Sequence, residues 1–386
     1  MTETAKVVAR IADIDAAQWD ACTDGDPFTS HAFLTALEET ECATVKHGWL
    51  PQHLAFEDAH GLVAAAPVFL KMHSYGEYVF DWGWAEAYGR VGKEYYPKLQ
   101  CCVPFTPATG PRLLVRKGAA AAEWQPLLLR ALIELARHHE ASSLHLTFPR
   151  PEEWARGGEL GLMQRAGIQF HWPNRGYATF DDFLGNLLGR KKRVLLRERR
   201  DAAAGTTIET LRGDDIRPHH WDAFYSFYRD TTGRKWGRAY LTREFFERLG
   251  QTMNDRVALM IASSDGEPIA GALNFIGPDA LYGRYWGARG EYPFLHFELC
   301  YYRAIELAIE LRLARVEAGA QGEHKLARGY LPVETHSLHW IADPKLGRAI
   351  ADFVEREKVA VRAEIAALLA QSPYRADRAA SGPEKR

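Results

Sequence analysis

Apolar positions in this chain follow two rhythms, and the order of those rhythms occurs twice. Residues 53–57 (HLAFE) and 62–71 (LVAAAPVFLK) are short apolar runs around the polar tetrad Asp58-Ala59-His60-Gly61, which predicts a β-hairpin. The same order returns at 257–263 (VALMIAS) and 269–276 (IAGALNFI), around Asp265-Gly266-Glu267-Pro268. An aromatic segment follows each hairpin: Tyr75, Tyr78, Phe80, Trp82 and Trp84 in the first half, and Tyr282, Tyr285 and Trp286 in the second. Next come a helix and a strand, at about 120–139 and 143–148 in one half and at 297–311 and 315–318 in the other. Aromatic strands usually pack inside, so Phe80, Tyr282 and Trp286 are expected in the core. The repeat is one of element order, not of residues. It predicts an α/β (α+β) fold of two tandem domains, each a mixed, largely antiparallel sheet flanked by helices. The expected boundaries are 1–178 and 179–371, with 372–386 (SPYRADRAASGPEKR) as a flexible polar tail.

Between the halves the pattern predicts one basic helix over about 181–203. Thr179 and Asp182 have capping-box spacing at its start. Phe183, Leu184, Leu187, Leu188, Val194 and Leu195 form an apolar face, and Arg190, Arg193, Arg197 and Arg200 form a cationic stripe on another. At about 100° per residue, Lys191 falls among the leucines together with Glu198. A lysine there must pair or snorkel. Lys191 is therefore expected to be buried or paired, and Arg193 and Arg197 exposed. The stripe is either a solvated face or a surface for phosphate groups.

Composition narrows the class. The chain has 386 residues, 47% apolar and 25% charged, enough for two ordinary cores. A net charge of −2 argues against a protein built as a whole to coat nucleic acid, while leaving room for a local basic groove. The N-terminus lacks the apolar core of a secretory signal, and the apolar run at 62–70 is far too short to span a bilayer. Five cysteines without a C-x-x-C pair read as reduced thiols, so a cytoplasmic protein is expected. His138-His139 and His219-His220 are adjacent pairs without metal-site spacing, and no metal is expected.

The densest chemistry lies at 319–325, Gly319-Ala320-Gln321-Gly322-Glu323-His324-Lys325. Two glycines allow close approach of backbone to a ligand, and an acid, a near-neutral titrating group and a cation sit together. Glu323, His324 and Lys325 are the candidate catalytic residues; a charged turn that caps a strand is the alternative. Arg328 and Tyr330 follow as candidate contacts. Asp81, between Phe80 and Trp82, needs a partner or a wet cleft. The three-proline loop 103–112 offers Thr106 and Arg112, and Trp82, Tyr285, His296, Lys191 and Arg193 complete the candidate substrate contacts.

KKRVLLRERRDAAAGTTIETL and LARVEAGAQGEHKLARGY resemble segments of the Fem peptidyltransferases, a branch of the GNAT acyltransferase superfamily. WLPQHLAFED, HSYGEYVFDWGWA, YYPKLQCCVPFTPATGPRLLV and EAGAQGEHKLARGYLPVETHSLHW resemble the FemAB-like family associated with peptidoglycan biosynthesis or recognition, across both halves. The resemblance implies tandem GNAT-like domains, a groove near their junction, and transfer of an acyl or aminoacyl group to an amine. It implies acyl-CoA or aminoacyl-tRNA as co-substrate, with no tightly bound cofactor. The partners would be an amine-bearing small molecule or a cell-wall precursor, with tRNA if it carries the donor. A non-catalytic protein that recognises such a precursor is the other function consistent with the resemblance. Neither half carries a clean R/Q-x-x-G-x-G/A pyrophosphate loop; Arg289-Gly290-Glu291-Tyr292-Pro293 stands in its place.

Overall fold

The computed structural model describes residues 4–236, 239–319 and 322–375. The described strands are β1 (Lys6–Val8), β2 (Trp49–Pro51), β3 (His53–Asp58), β4 (Gly61–Ala66), β5 (Val68–Lys71), β6 (Lys98–Cys101), β7 (Leu114–Val115) and β8 (Ser143–Thr147). They continue with β9 (Met163–Pro173), β10 (Thr207–Arg212), β11 (Val257–Ser264), β12 (Glu267–Ile276), β13 (Ala280–Ala288), β14 (Arg315–Glu317) and β15 (Leu331–Ile341). A small sheet has the order β1-β3-β4-β7, and a long one β10-β11-β12-β13-β14-β9-β15-β8-β6-β5-β2. The long sheet is antiparallel except at β13–β14 and β6–β8. A parallel pair needs a crossover. The helix Ala121–His138 lies between β6 and β8, and a helical segment ending in Arg303–Glu310 lies between β13 and β14. This is the mixed α/β architecture expected, once in each half.

The two halves share one sheet because each completes the other. β9, from the first half, lies between β14 and β15, and β15, from the second, lies between β9 and β8. β9 and β15 pair without a register break from Leu331 opposite His171 to His339 opposite Met163. The largest apolar cluster also crosses the seam: the Phe28 ring is 5.0 Å from those of Phe275 and Tyr282.

Three elements differ from the sequence reading. The run 62–71 is two strands in different sheets, split at Pro67, which has no N–H for a ladder. The segment 75–84 is not a strand: Trp82–Arg90 is a helix, and Phe80, expected in the core, is 57% exposed. Tyr282 is buried as expected, and Trp286 is partly buried. The basic region forms two helices, Phe180–Asn186 and Gly189–Ala203, with Leu187 extended and bridged to Tyr374. Gly185 and Gly189 flank this break and weaken a continuous helix. The capping box forms: Asp182 N donates to Thr179 Oγ1 at 3.1 Å, and Thr179 N to Asp182 Oδ2 at 2.9 Å.

The expected tail is docked at its start. Tyr374 is buried, its hydroxyl donating to the Gly329 carbonyl at 2.7 Å, and Leu188 N donates to Pro373 O at 2.9 Å. Residues 376–386 lie outside the described residues. Helical phase holds within the second helix, where Leu195, Glu198 and Ala202 are buried, Lys191 is partly buried, and Arg193 and Arg197 are exposed; Leu188, expected on the apolar face, is 43% exposed because the helix breaks before Gly189.

Candidate active site

β13 and β14 pair only between Ala280–Tyr282 and Arg315–Glu317, after which β13 runs on to Ala288 paired with β12 on its other edge. Where β14 ends, a cavity of about 100 Å³ opens, lined on this side by Gly283, Arg284, Tyr285, Trp286 and Ala318. A register shift at Leu273/Asn274 in the β12–β13 pairing brings in Asn274. The third wall is helical. Leu295–Phe297 passes into a π turn, Glu298–Tyr302, before α-helix resumes at Arg303, and this segment supplies His296, Cys300 and Tyr301. The sequence reading had one regular helix over 297–311. A π turn widens a helix by one residue per turn, and such turns gather at functional sites.

Buried charge pairs hold this wall in place. Glu298, 2% exposed, accepts from Arg199 Nη2 at 2.9 Å and from Arg199 Nε and Arg303 Nε at 3.0 Å. Glu198, on the same basic helix, accepts from the Tyr302 hydroxyl and from Arg328, whose Nη2 and Nε lie 2.8 and 3.2 Å from its two oxygens. The Arg328 guanidinium also covers the Phe297 ring at 3.5 Å, and its Nη1 donates to the His324 carbonyl at 2.8 Å. Arg328 therefore locks the 3₁₀ turn Glu323–Arg328 to the basic helix.

Lys325 is 2% exposed, and its Nζ donates to the carbonyls of Ala318 at 2.6 Å and Gly319 at 2.9 Å. No carboxylate pairs with it among the described residues. Burial pulls its ammonium down to about 8, with Arg284 lowering it further and Cys300 acting in the opposite sense. Lys325 is thus bonded to Ala318, which lines the cavity, without being part of the lining itself. His324 Nε2 is 2.9 Å from the Tyr301 hydroxyl, and burial, then Arg328 and Lys325, lower its pKa. Tyr330 is fully buried with its ring 5.3 Å from that of Tyr301. Burial pushes the Tyr285 phenol up to about 12. Ala320 and Gln321 lie outside the described residues, as does the Glu323 side chain.

Of the candidates, Tyr285 and His296 line the cavity, while His324 and Tyr330 pack against its Tyr301 and Lys325 bonds to its Ala318 without lining it; Arg328 is bonded to Glu198 on the helix that carries Lys191 and Arg193. The first-half candidates lie elsewhere. Asp81 is buried in a polar cluster with Lys98, accepting also from the Tyr95 hydroxyl at 2.6 Å; Lys98 donates to Glu77 at 2.6 Å. Burial raises the Asp81 carboxyl, but Lys98, Ser74 and Tyr95 outweigh it and hold it below its ordinary value. Trp82 is exposed beside Tyr75. The Thr106 hydroxyl donates to Pro104 O at 2.9 Å. Arg112 is buried, its guanidinium spread over the carbonyls of Thr147, Pro111 and Ala108 at 2.8–3.0 Å, so it stiffens the proline loop from inside.

Sequence reasoning missed Asn274, Arg284, Cys300 and Tyr301. Asn274 carried a signal, as the one polar side chain in the run IAGALNFI. It is 1% exposed, and its Oδ1 accepts no hydrogen bond among the described residues, nor does Arg284 Nε donate one. Arg284 Nη2 reaches across the seam to the Phe105 carbonyl at 2.8 Å. Side chains alternate along β14. Val316 points to the core, while Arg315 and Glu317 face a second cavity of about 540 Å³, lined also by Asp24, Asp26, Glu152 and Glu334.

One helix-crossed parallel pair in each half, β6–β8 and β13–β14, within a shared and largely antiparallel sheet, defines a tandem α/β fold of two similar halves. The chain belongs to the FemAB-like family, described by its role in peptidoglycan biosynthesis or recognition, which matches residues 10–376. No functionally curated protein matches it. Among solved structures it is similar to FemX, with 14% identity and a TM-score of 0.55, over 88% of this chain and 98% of that one. It is also similar to the C-terminal domain of a putative lysylphosphatidylglycerol synthetase from Agrobacterium fabrum, with 10% identity and a TM-score of 0.52, over 91% and 97%. A tandem GNAT protein from the clavulanic acid biosynthesis pathway matches with 15% identity and a TM-score of 0.46, over 89% and 99%. At these identities the first two show a common fold and nothing finer. Among the described residues no helix is long and apolar enough to cross a membrane, and no group of three or more His, Cys, Asp or Glu is placed to hold a metal ion.

Proposed function

We propose that the protein moves an aminoacyl group from an activated donor to an amine, with the reacting carbonyl beside Lys325. One observation carries this reading: a buried lysine sits where β14 ends, with two of its N–H groups taken by the Ala318 and Gly319 carbonyls. An ammonium has three donors. The third is left for an oxygen of the ligand, where it stabilises the oxyanion formed when the amine attacks. With its pKa near 8, Lys325 is also suited to protonate the departing oxygen or sulfur.

The cavity supports an aminoacyl donor over a plain acyl donor. At about 100 Å³ it is small and suits a short group. The unmatched Asn274 Oδ1 wants an N–H, which the α-amino group of an aminoacyl ester supplies and an alkyl chain does not. The lack of a clean pyrophosphate loop at 289–293 agrees with a donor carried on tRNA instead of coenzyme A. The donor is then a co-substrate, with no tightly bound cofactor. The acceptor amine is then that of a cell-wall precursor, in keeping with the family's association with peptidoglycan.

The test is a mass-spectrometric transfer assay with charged tRNA or acetyl-CoA as donor and amine-bearing cell-wall peptides as acceptor. Product should form from charged tRNA, and Lys325→Met should lower the rate by roughly 10²-fold or more, the usual loss for such a donor. Lys325→Arg should keep part of the activity. A fully active Lys325→Met would overturn the site. Peptide binding without product from either donor would establish the recognition role instead.

A further inference from the structure

We infer that the outer face of the helix Gly189–Ala203 is the docking surface for the RNA that carries the donor; the inference rests on the proposed aminoacyl transfer. This helix has two jobs divided by face. Its inner face braces the cavity: Glu198 holds Arg328 and Tyr302, and Arg199 holds Glu298 and Glu306. Its outer face presents Arg190, Arg193, Arg197 and Arg200, all exposed. Among the described residues no carboxylate lies within ion-pair distance of Arg190, Arg193 or Arg197, and Arg200 pairs only with its neighbour Asp201. The contrast with Arg199, which has two partners, shows that carboxylates on this helix's surroundings are placed inward.

Geometry and charge point to a phosphate backbone. At a rise of about 1.5 Å per residue, the four guanidiniums span roughly 15 Å in steps of about 5 Å along one stripe. Arginine meets phosphate through paired N–H groups and is the cation suited to nucleic acid. The rest of the chain brings the net charge to −2, so the stripe is a local feature and not part of a generally basic surface. An anionic bilayer fits less well. A surface-bound helix inserts an apolar face, and this helix buries its own, Leu195 and Ala202, leaving only Leu188 and Leu196 exposed near the arginines. The stripe also lies next to the reacting end: the helix contacts both the π turn and the 3₁₀ turn that holds Lys325. RNA tracked along it has its end within reach of the cavity.

The experiment measures binding of unfractionated deacylated tRNA across a salt series, independent of any transfer assay. The variants are Arg193→Glu/Arg197→Glu and, as a charge-matched control, Arg130→Glu/Arg348→Glu, two exposed arginines outside this helix. The stripe variant should bind at least about ten-fold more weakly at low salt, and its slope of log K against log salt should be shallower by about two. The control variant should bind like the wild type, and both should melt like the wild type. Equal loss in both variants would reduce the effect to net charge, and no loss in the stripe variant would place the RNA elsewhere; each overturns the surface while leaving aminoacyl transfer standing. A wild type that binds no tRNA at low salt overturns both. Binding of phosphatidylglycerol vesicles, but not of tRNA, through the same arginines would make the partner a membrane.

Discussion

Lys325 shows how much one residue's surroundings decide. A lysine on a loop of glycines and charges reads equally as a solvated turn or a site. What sets it apart is burial without a carboxylate, which lowers its pKa from 10.5 to about 8. The sign of the consequence follows from proton counting. Between about pH 8 and 10.5 the unfolded chain binds the proton that the folded chain has lost, so stability rises with pH across that window. The full gain is roughly 3 kcal/mol at about 1.4 kcal/mol per pKa unit. Lys71, which burial lowers to about 7, adds a rise of the same sign. Urea unfolding of wild type and Lys325→Met at pH 7.5 and 10 should therefore show the variant's relative stability fall as pH rises. A constant difference would mean that Lys325 keeps an ordinary pKa. Substituting it should thus cost activity without costing stability at neutral pH, which separates a working group from a structural one.

At the scale of elements, Arg328 has the opposite character. Its charge is paired with Glu198, both less than 10% exposed, and it ties the 3₁₀ turn to the basic helix. Removing one partner of a buried pair strands the other, typically at about 3–5 kcal/mol. Glu198→Ala should therefore lose about that much in urea unfolding and lose transfer along with it, because the turn that holds Lys325 is released. If Glu198→Ala is as stable as wild type, the pair does not hold the turn. The same turn is closed from the other side by Tyr374 on the Gly329 carbonyl. Gly329 has φ of 93°, where side chains are strained, and a Cβ there would sit 2.8 Å from the Phe183 ring. That contact explains why residues 372–375 are ordered although their composition is that of a frayed end: a single buried tyrosine outweighs the polar residues around it.

At the scale of the molecule, the exchange of β9 and β15 makes the halves interdependent. β15 is hydrogen-bonded on both edges, to β9 and to β8, so neither half can close its sheet alone. Calorimetry should show one cooperative transition, and residues 1–178 expressed alone should not give a stably folded monomer. Two well-separated transitions would show that the seam is a contact between independent domains.

The sequence by itself determined the repeated order of hairpin, helix and strand, because that order rests on local periodicity and turn chemistry. It also determined the phase of the basic helix, since Lys191 and Glu198 inward and Arg193 and Arg197 outward follow from angle counting. It marked the lysine-bearing loop as a candidate through its glycines and charges. Only the tertiary structure decided that Pro67 sends one apolar run into two sheets, that Arg112 and Asp81 are spent on internal bonds, and that β9 and β15 trade places. Only it brought Asn274, Arg284 and Cys300, from two strands and a π turn, together at the end of β14. Periodicity reports which face of an element is buried, and it is silent on what that face meets. The candidate site depends on those meetings: a strand that stops, a helix widened by a π turn, and a lysine held by the carbonyls at the gap between them.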